Sequence, residues 1–197
     1  MIALAQARAA AESAPPRFVC ADAQRHAFEP ASYDMIVSRF GVMFFDDSVR
    51  AFANLRRAAK PAADLNAIVW RSPAENPFMT VAERAAAPFL PAMPARRQGE
   101  PGQFAFANRD RVHSILEQSG WAAIDIQPLD IACTLPEAEL GPYLSKLGPL
   151  GRVLQEADDR TRQLVIDTVR AAFEPYVHDT AVRFTAACWM VGARAPE

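Results

Sequence analysis

An excess of charge of either sign is missing from this sequence: 21 Lys and Arg stand against 23 Asp and Glu over 197 residues, a formal net charge of -2. That balance leaves no electrostatic footprint for nucleic acid or an anionic membrane. The basic pairs Arg56-Arg57 and Arg96-Arg97 are too short to create one. Cysteine is scarce as well. Cys20, Cys133 and Cys188 are odd in number, widely spaced and set among apolar residues, so no disulfide framework and no metal site of the C-x-x-C kind is expected. A reducing, cytoplasmic setting fits that usage. Long apolar runs are absent too. Met1 to Ala11 is Ala-rich but holds Gln6 and Arg8, lacks a basic leader and is far too short to span a bilayer, so it reads as an amphipathic helix and no membrane span is expected. No repeat or low-complexity segment divides the chain. With 51% hydrophobic and 22% charged residues, 1–197 reads as one globular domain with a small-molecule or protein partner.

What the sequence does hold is concentrated between Phe18 and Phe45. Arg17 to Ala21 reads as a buried-type strand running into Asp22-Ala23-Gln24. Tyr33 to Val37 reads as a second, running into Ser38-Arg39-Phe40-Gly41. Asp47 is placed to cap a helix whose stripe Val49, Phe52, Leu55, Ala59 recurs at three- and four-residue steps, and Lys60-Pro61 then makes a turn before the strand Leu65 to Trp70. Further on, Phe78 to Ala87 reads as a helix. Asn108 caps a helix bearing Val112, Ile115 and Leu116, with Gly120 at its end. Trp121 to Ile131 is the next strand. Thr134-Leu135-Pro136-Glu137 has the form of a capping box opening a helix through Lys146, and Asp159 to Tyr176 reads as a longer helix. Val182 to Ala193 is apolar on both faces and is expected in a sheet covered on both sides. Apolar strands alternating with amphipathic helices predict an α/β fold with one largely parallel sheet.

The Asp22-Ala23-Gln24 and Ser38-Arg39-Phe40-Gly41 segments, with the helix and strand after them, resemble the class I S-adenosylmethionine-dependent methyltransferases, nearest to the small-molecule branch of the quinone-biosynthesis type. The resemblance implies a Rossmann-like sheet in the order 3-2-1-4-5-7-6, with helices on both faces and the last strand antiparallel. It also implies S-adenosyl-L-methionine as cofactor and a small-molecule methyl acceptor. Carried over residue by residue, Asp22 would accept from the adenine amine, the Ala23 N–H would reach a ring nitrogen, and Ser38, Arg39 and Phe40 would line the methionine end. Trp70, Arg71 and Asn76, following the third strand, would face the acceptor, and His26 is the nearest candidate for a general base. Insertions are expected at about 73–107 and 132–180.

Two features of that family have no counterpart here: the strand ending in G-x-G-x-G and the strand ending in a ribose-binding acid. On this reading the domain is N-terminally truncated, its first two strands are missing, and cofactor binding is impaired. In place of the glycines that usually follow Lys60-Pro61 stands Ala62-Ala63-Asp64, which makes a positive-φ turn costlier. The alternative is a non-catalytic methyltransferase-like module that binds no cofactor and pairs with a partner chain. Either way the Tyr33 to Val37 strand becomes an exposed sheet edge, through which the chain could form a homo-oligomer.

Overall fold

The computed structural model describes residues 2–90, 99–146, 150, 154–155 and 157–197. The Arg96-Arg97 pair and parts of both expected insertions lie outside them. Four long strands make one mixed sheet: β1 (Tyr33–Arg39), β2 (Ala59–Trp70), β3 (Ala122–Pro136) and β5 (Ala181–Arg194), in the spatial order β1-β2-β5-β3. A two-residue strand, β4 (Val177–His178), adds to β5. β1 and β2 are parallel, and β5 runs antiparallel to both β2 and β3. Three long strands therefore share one direction and the last is reversed.

Helix α2 (Ser48–Ala58) forms where its sequence stripe requires. Asp47 caps it by accepting from the Arg50 N–H at 2.9 Å, and Ala51, Phe52, Leu55 and Ala58 are buried. Helix α4 (Arg109–Gln118) is capped in the same way by Asn108 and buries Val112, Ile115 and Leu116; Gly120 beyond it takes φ +84°. These two helices cover one face of the sheet, the face carrying Leu65, Ala67 and Val69 of β2 and Val191 and Ala193 of β5. The indole N–H of Trp121 donates to the Phe52 carbonyl at 3.1 Å and ties the two helices together.

The opposite face is covered in a different place. Helices α3 (Phe78–Ala86), α5 (Leu140–Lys146) and α6 (Asp159–Ala172) pack on the beginning of β5, burying Val182, Ala186 and Cys188. Coverage on both sides, as expected for β5, holds only where the two layers overlap at Ala186–Cys188. Toward the end of the strand Met190 and Arg194 are exposed while Val191 and Ala193 stay buried. Helix α1 (Ile2–Ala9) buries none of its residues.

Several expectations are corrected. Arg17 to Ala21 is not a strand: residues 15–20 carry no regular structure, and Val19 is half exposed. Apolar pattern alone does not make a strand where no ladder partner lies alongside. Thr134 does not open a helix. The pairs Thr134↔Arg183 and Leu135↔Val182 keep it in β3, and α5 starts only at Leu140, after a single 3-10 turn. The long helix ends at Ala172, with a 3-10 turn over Glu174–Tyr176. β2 begins at Ala59, and the costly turn sits inside it. Ala62 adopts φ +58°, held by its N–H donating to Ala195 at 3.1 Å and by Arg194 Nε donating to its carbonyl at 3.0 Å. A left-handed alanine costs about 1 kcal/mol, which the surrounding ladder offsets.

Candidate functional site

Asp22, Ala23 and Gln24 open a tight turn rather than close a strand. Asp22 Oδ1 accepts from the Gln24 N–H at 2.9 Å, and the Asp22 carbonyl accepts from Arg25 at 3.0 Å and His26 at 2.8 Å. The carboxylate is exposed, and the Arg25 guanidinium lies 3.8 Å from its second oxygen. The His26 ring is half-buried and packs edge-on to Phe28, with centroids 4.7 Å apart.

This turn is fastened to α2. Gln24 is 5% exposed, and its side-chain carbonyl accepts from the N–H of Asp47, the helix cap, at 2.9 Å. Two helical turns further on, Asn54 Nδ2 donates to the carbonyls of Ala23 at 3.0 Å and His26 at 2.9 Å. Because α2 starts just beyond the carboxyl end of β1, the turn is held on the side where open α/β sheets take ligands.

Strand alternation puts Ser38 and Arg39 on opposite faces. Ser38 shares the face of Ile36, beneath the helices, and its hydroxyl accepts from the Gly41 N–H at 3.3 Å. Arg39 lies with Met35 and Val37 on the open face and is exposed. Phe40 then turns the chain with φ +59°, a left-handed conformation that a phenylalanine rarely takes. Its N–H donates to Ile68 at 3.0 Å, and its ring stacks on Trp70 at 4.2 Å with the planes 6° apart. Stacking and hydrogen bond together hold the unusual backbone.

At the end of β2 the polar side chains are committed within the protein. Arg71 sits 2.9 Å from Glu75 through Nε and 2.9 Å from Asp130 through Nη1, and lies over the Trp189 ring at 5.6 Å. Its Nε has no hydrogen-bond partner by direction, so the Glu75 contact is ionic. Hydrogen bonds from the Ser72 hydroxyl and N–H, with the Arg71 charge, hold the Glu75 carboxyl below its ordinary range despite partial burial. Asn76 is fully buried. Its amide donates to the Ala187 carbonyl at 2.9 Å and accepts from the Ala187 N–H at 2.9 Å, pairing with β5 as another strand would. Its place as an acceptor-facing residue is corrected: the amide bonds β5 instead.

The structure thus stacks Phe40 on Trp70 at the ends of β1 and β2, keeps Ser38 on the face under α2 and α4, and fixes Asp22, Ala23 and His26 in one turn on α2. It sends Arg39 to the other face and buries Asn76. Sequence reading passed over Asn54 as a fastening residue, although an asparagine inside a helix, where it is a poor former, is a signal that the side chain is used. Among the described residues no group of His, Cys, Asp and Glu could hold a metal ion, and no helix is long and apolar enough to cross a membrane.

Residues 1–65 match the family described as a methyltransferase domain. A demethylmenaquinone methyltransferase of Renibacterium salmoninarum is 24% identical over 121 residues, covering 57% of this chain and 51% of the relative, so the chain spans about half the length of the curated relative it matches. Among solved structures, the YcgJ protein of Bacillus subtilis aligns over 100% of this chain and 79% of its own, with a TM-score of 0.58 and 14% identity. A Bacillus halodurans protein described as a methyltransferase aligns over 91% of this chain and 78% of its own, with a TM-score of 0.52 and 13% identity. The two structures share the fold, and the match to the methyltransferase-domain family falls on the first third of the chain, the segment that carries the Asp22 turn and β1.

Proposed function

We propose that this chain serves S-adenosylmethionine-dependent methyl transfer to a small-molecule acceptor, with Asp22 and Ala23 at the adenine end and Ser38 and Phe40 toward the methionine end. One observation supports this above the others. The Asp22 turn is clamped to α2 with its carboxylate exposed, on the ligand side of the sheet. The residues present fit the adenine end: one Asp22 oxygen is spent inside the turn, leaving capacity on the other for an exocyclic amine. They do not supply the remainder of the site, since the 197 residues contain no G-x-G-x-G.

When bound, the cofactor supplies a methyl group on a sulfonium, which needs an in-line nucleophile more than covalent help. The chain's part in that chemistry is positioning. The stacked pair Phe40 and Trp70 makes a flat apolar wall at the ends of β1 and β2. Such a wall excludes water and orients a planar acceptor. His26, the candidate general base, packs through Phe28 toward Tyr33 at the start of β1 rather than against the Phe40 and Trp70 wall.

The experiment is calorimetric titration with S-adenosylhomocysteine up to millimolar concentration. Saturable one-to-one binding supports the reading, and absence of binding overturns it. A second reading, a non-catalytic module that pairs with a partner chain, is favoured by β1. Among the described residues β1 pairs only with β2, and Val37 is 70% exposed beside Met35 at 54%. A stable dimer without cofactor binding is its signature.

A further inference from the structure

Gln24 and Asn54 contact no ligand in any reading so far, yet they are the two side chains that fix where the Asp22 turn lies. Seven residues separate the helix cap Asp47 from Asn54, which is about 10 Å along α2. Gln24 grips the first point and Asn54 the second, so the turn is laid along two turns of helix. Asn54 is itself oriented. Arg57, one helical turn further, donates from Nη2 to Asn54 Oδ1 at 2.8 Å, which leaves the amide NH2 facing the carbonyls of Ala23 and His26. Both carbonyls are thereby drawn toward the helix. The bond between Asp22 Oδ1 and the Gln24 N–H fixes the carboxylate relative to the same peptide.

We propose that Gln24 and Asn54, with Arg57 behind Asn54, are positioning residues for purine-base recognition: they set the direction of the Asp22 carboxylate and so the preference for a 6-amino over a 6-oxo purine. This rests on the adenine assignment made above. A carboxylate accepts from a 6-amino group and repels a 6-oxo group, so the preference measures the carboxylate's aim rather than the overall strength of binding. Misplacing it costs discrimination even where the nucleoside still binds.

The test is titration of the 15N-labelled chain with adenosine and, separately, inosine, followed by NMR, with amide hydrogen exchange recorded on the same samples. The intact chain is expected to favour adenosine by ~10-fold. Asn54→Asp is nearly isosteric but turns an acceptor toward two carbonyls, and Gln24→Leu removes the acceptor for the Asp47 N–H. Each is expected to reduce the preference below ~2-fold and to speed exchange at residues 22–26, with β2 and β5 amides unchanged as proof of folding. Gln24→Glu keeps an acceptor at the N-terminus of α2 and is expected to restore most of what Gln24→Leu loses. An undiminished adenosine preference in Asn54→Asp and Gln24→Leu overturns the positioning role while leaving the adenine assignment standing. An intact chain that binds the two nucleosides equally, or neither, overturns the adenine assignment and this inference with it, and the exchange rates then report only whether the clamp holds the turn.

Discussion

The two ends of β5 are buried on opposite faces. Near its start the even-numbered residues Val182, Ala186 and Cys188 lie under α3, α5 and α6, whereas Arg183 and Thr185 face outward. Near its end the odd-numbered Val191 and Ala193 lie under α2 and α4, whereas Met190 and Arg194 face outward. One strand thus serves two helix layers that overlap only at its middle. On the second face neither layer reaches the end of β5 at Met190 and Arg194 or the β1 margin, where Met35 and Val37 are exposed. Coverage is set by where helices land, and the ends of β1 and β2 that carry Phe40 and Trp70 lie beside Cys188, where the two layers overlap.

Contrasting the covered and open faces at one register gives the largest expected effect. Leu65 of β2 is 0% exposed between Ile36 and Ala193, so Leu65→Ala is expected to cost about 3 kcal/mol. Val37→Ala, on the open margin, should change stability by less than about 0.5 kcal/mol. Urea denaturation of both variants measures the difference, and equal losses would show that something covers Val37 in solution.

Asn76 sharpens the comparison where the two layers overlap. Asn76→Ala leaves both polar groups of the Ala187 backbone without their side-chain partners in a buried setting, and should destabilise by about 2 kcal/mol. A loss below ~0.5 kcal/mol in the same denaturation would mean that water or a shifted backbone satisfies them.

The smallest effect concerns acid. Glu75 has a folded-state pKa below its unfolded value, chiefly through the Ser72 hydroxyl, so its contribution is complete above the ordinary carboxylate range and is lost as pH falls through the depressed value. With 44% of its side chain exposed, that contribution is under about 1 kcal/mol. Comparing Glu75→Gln with the unaltered chain from pH 7 downward should show the difference shrinking as the Glu75 carboxylate protonates.

Much of this was legible in the sequence because it depends on local chemistry. Asp47 and Asn108 announced their caps, and the stripes of α2 and α4 announced which face they bury. The end of β1 at Ser38-Arg39-Phe40 was visible as the point where an apolar run meets polar residues. Arg17 to Ala21 was misread because its pattern suits a strand, and a strand exists only where a neighbour supplies the ladder. Thr134 was misread for the converse reason: pairing with Arg183 in β5 overrides a local capping signal. Asn76 could not be read, since its partner Ala187 lies 111 residues away and only the tertiary fold joins them. Similarly, the Gln24 and Asn54 clamp spans 23 to 31 residues and joins two elements that the sequence shows only one at a time.

The central claim is that the Asp22 turn recognises the adenine end of the cofactor, and it is tested most directly by calorimetric titration of S-adenosylhomocysteine into the unaltered chain and into Asp22→Ala. The account predicts saturable binding that weakens by about 1.5 to 3 kcal/mol in the variant, as expected for loss of a charged acceptor. Equal affinity in the two proteins would contradict it and leave Asp22 as a residue that only shapes its turn.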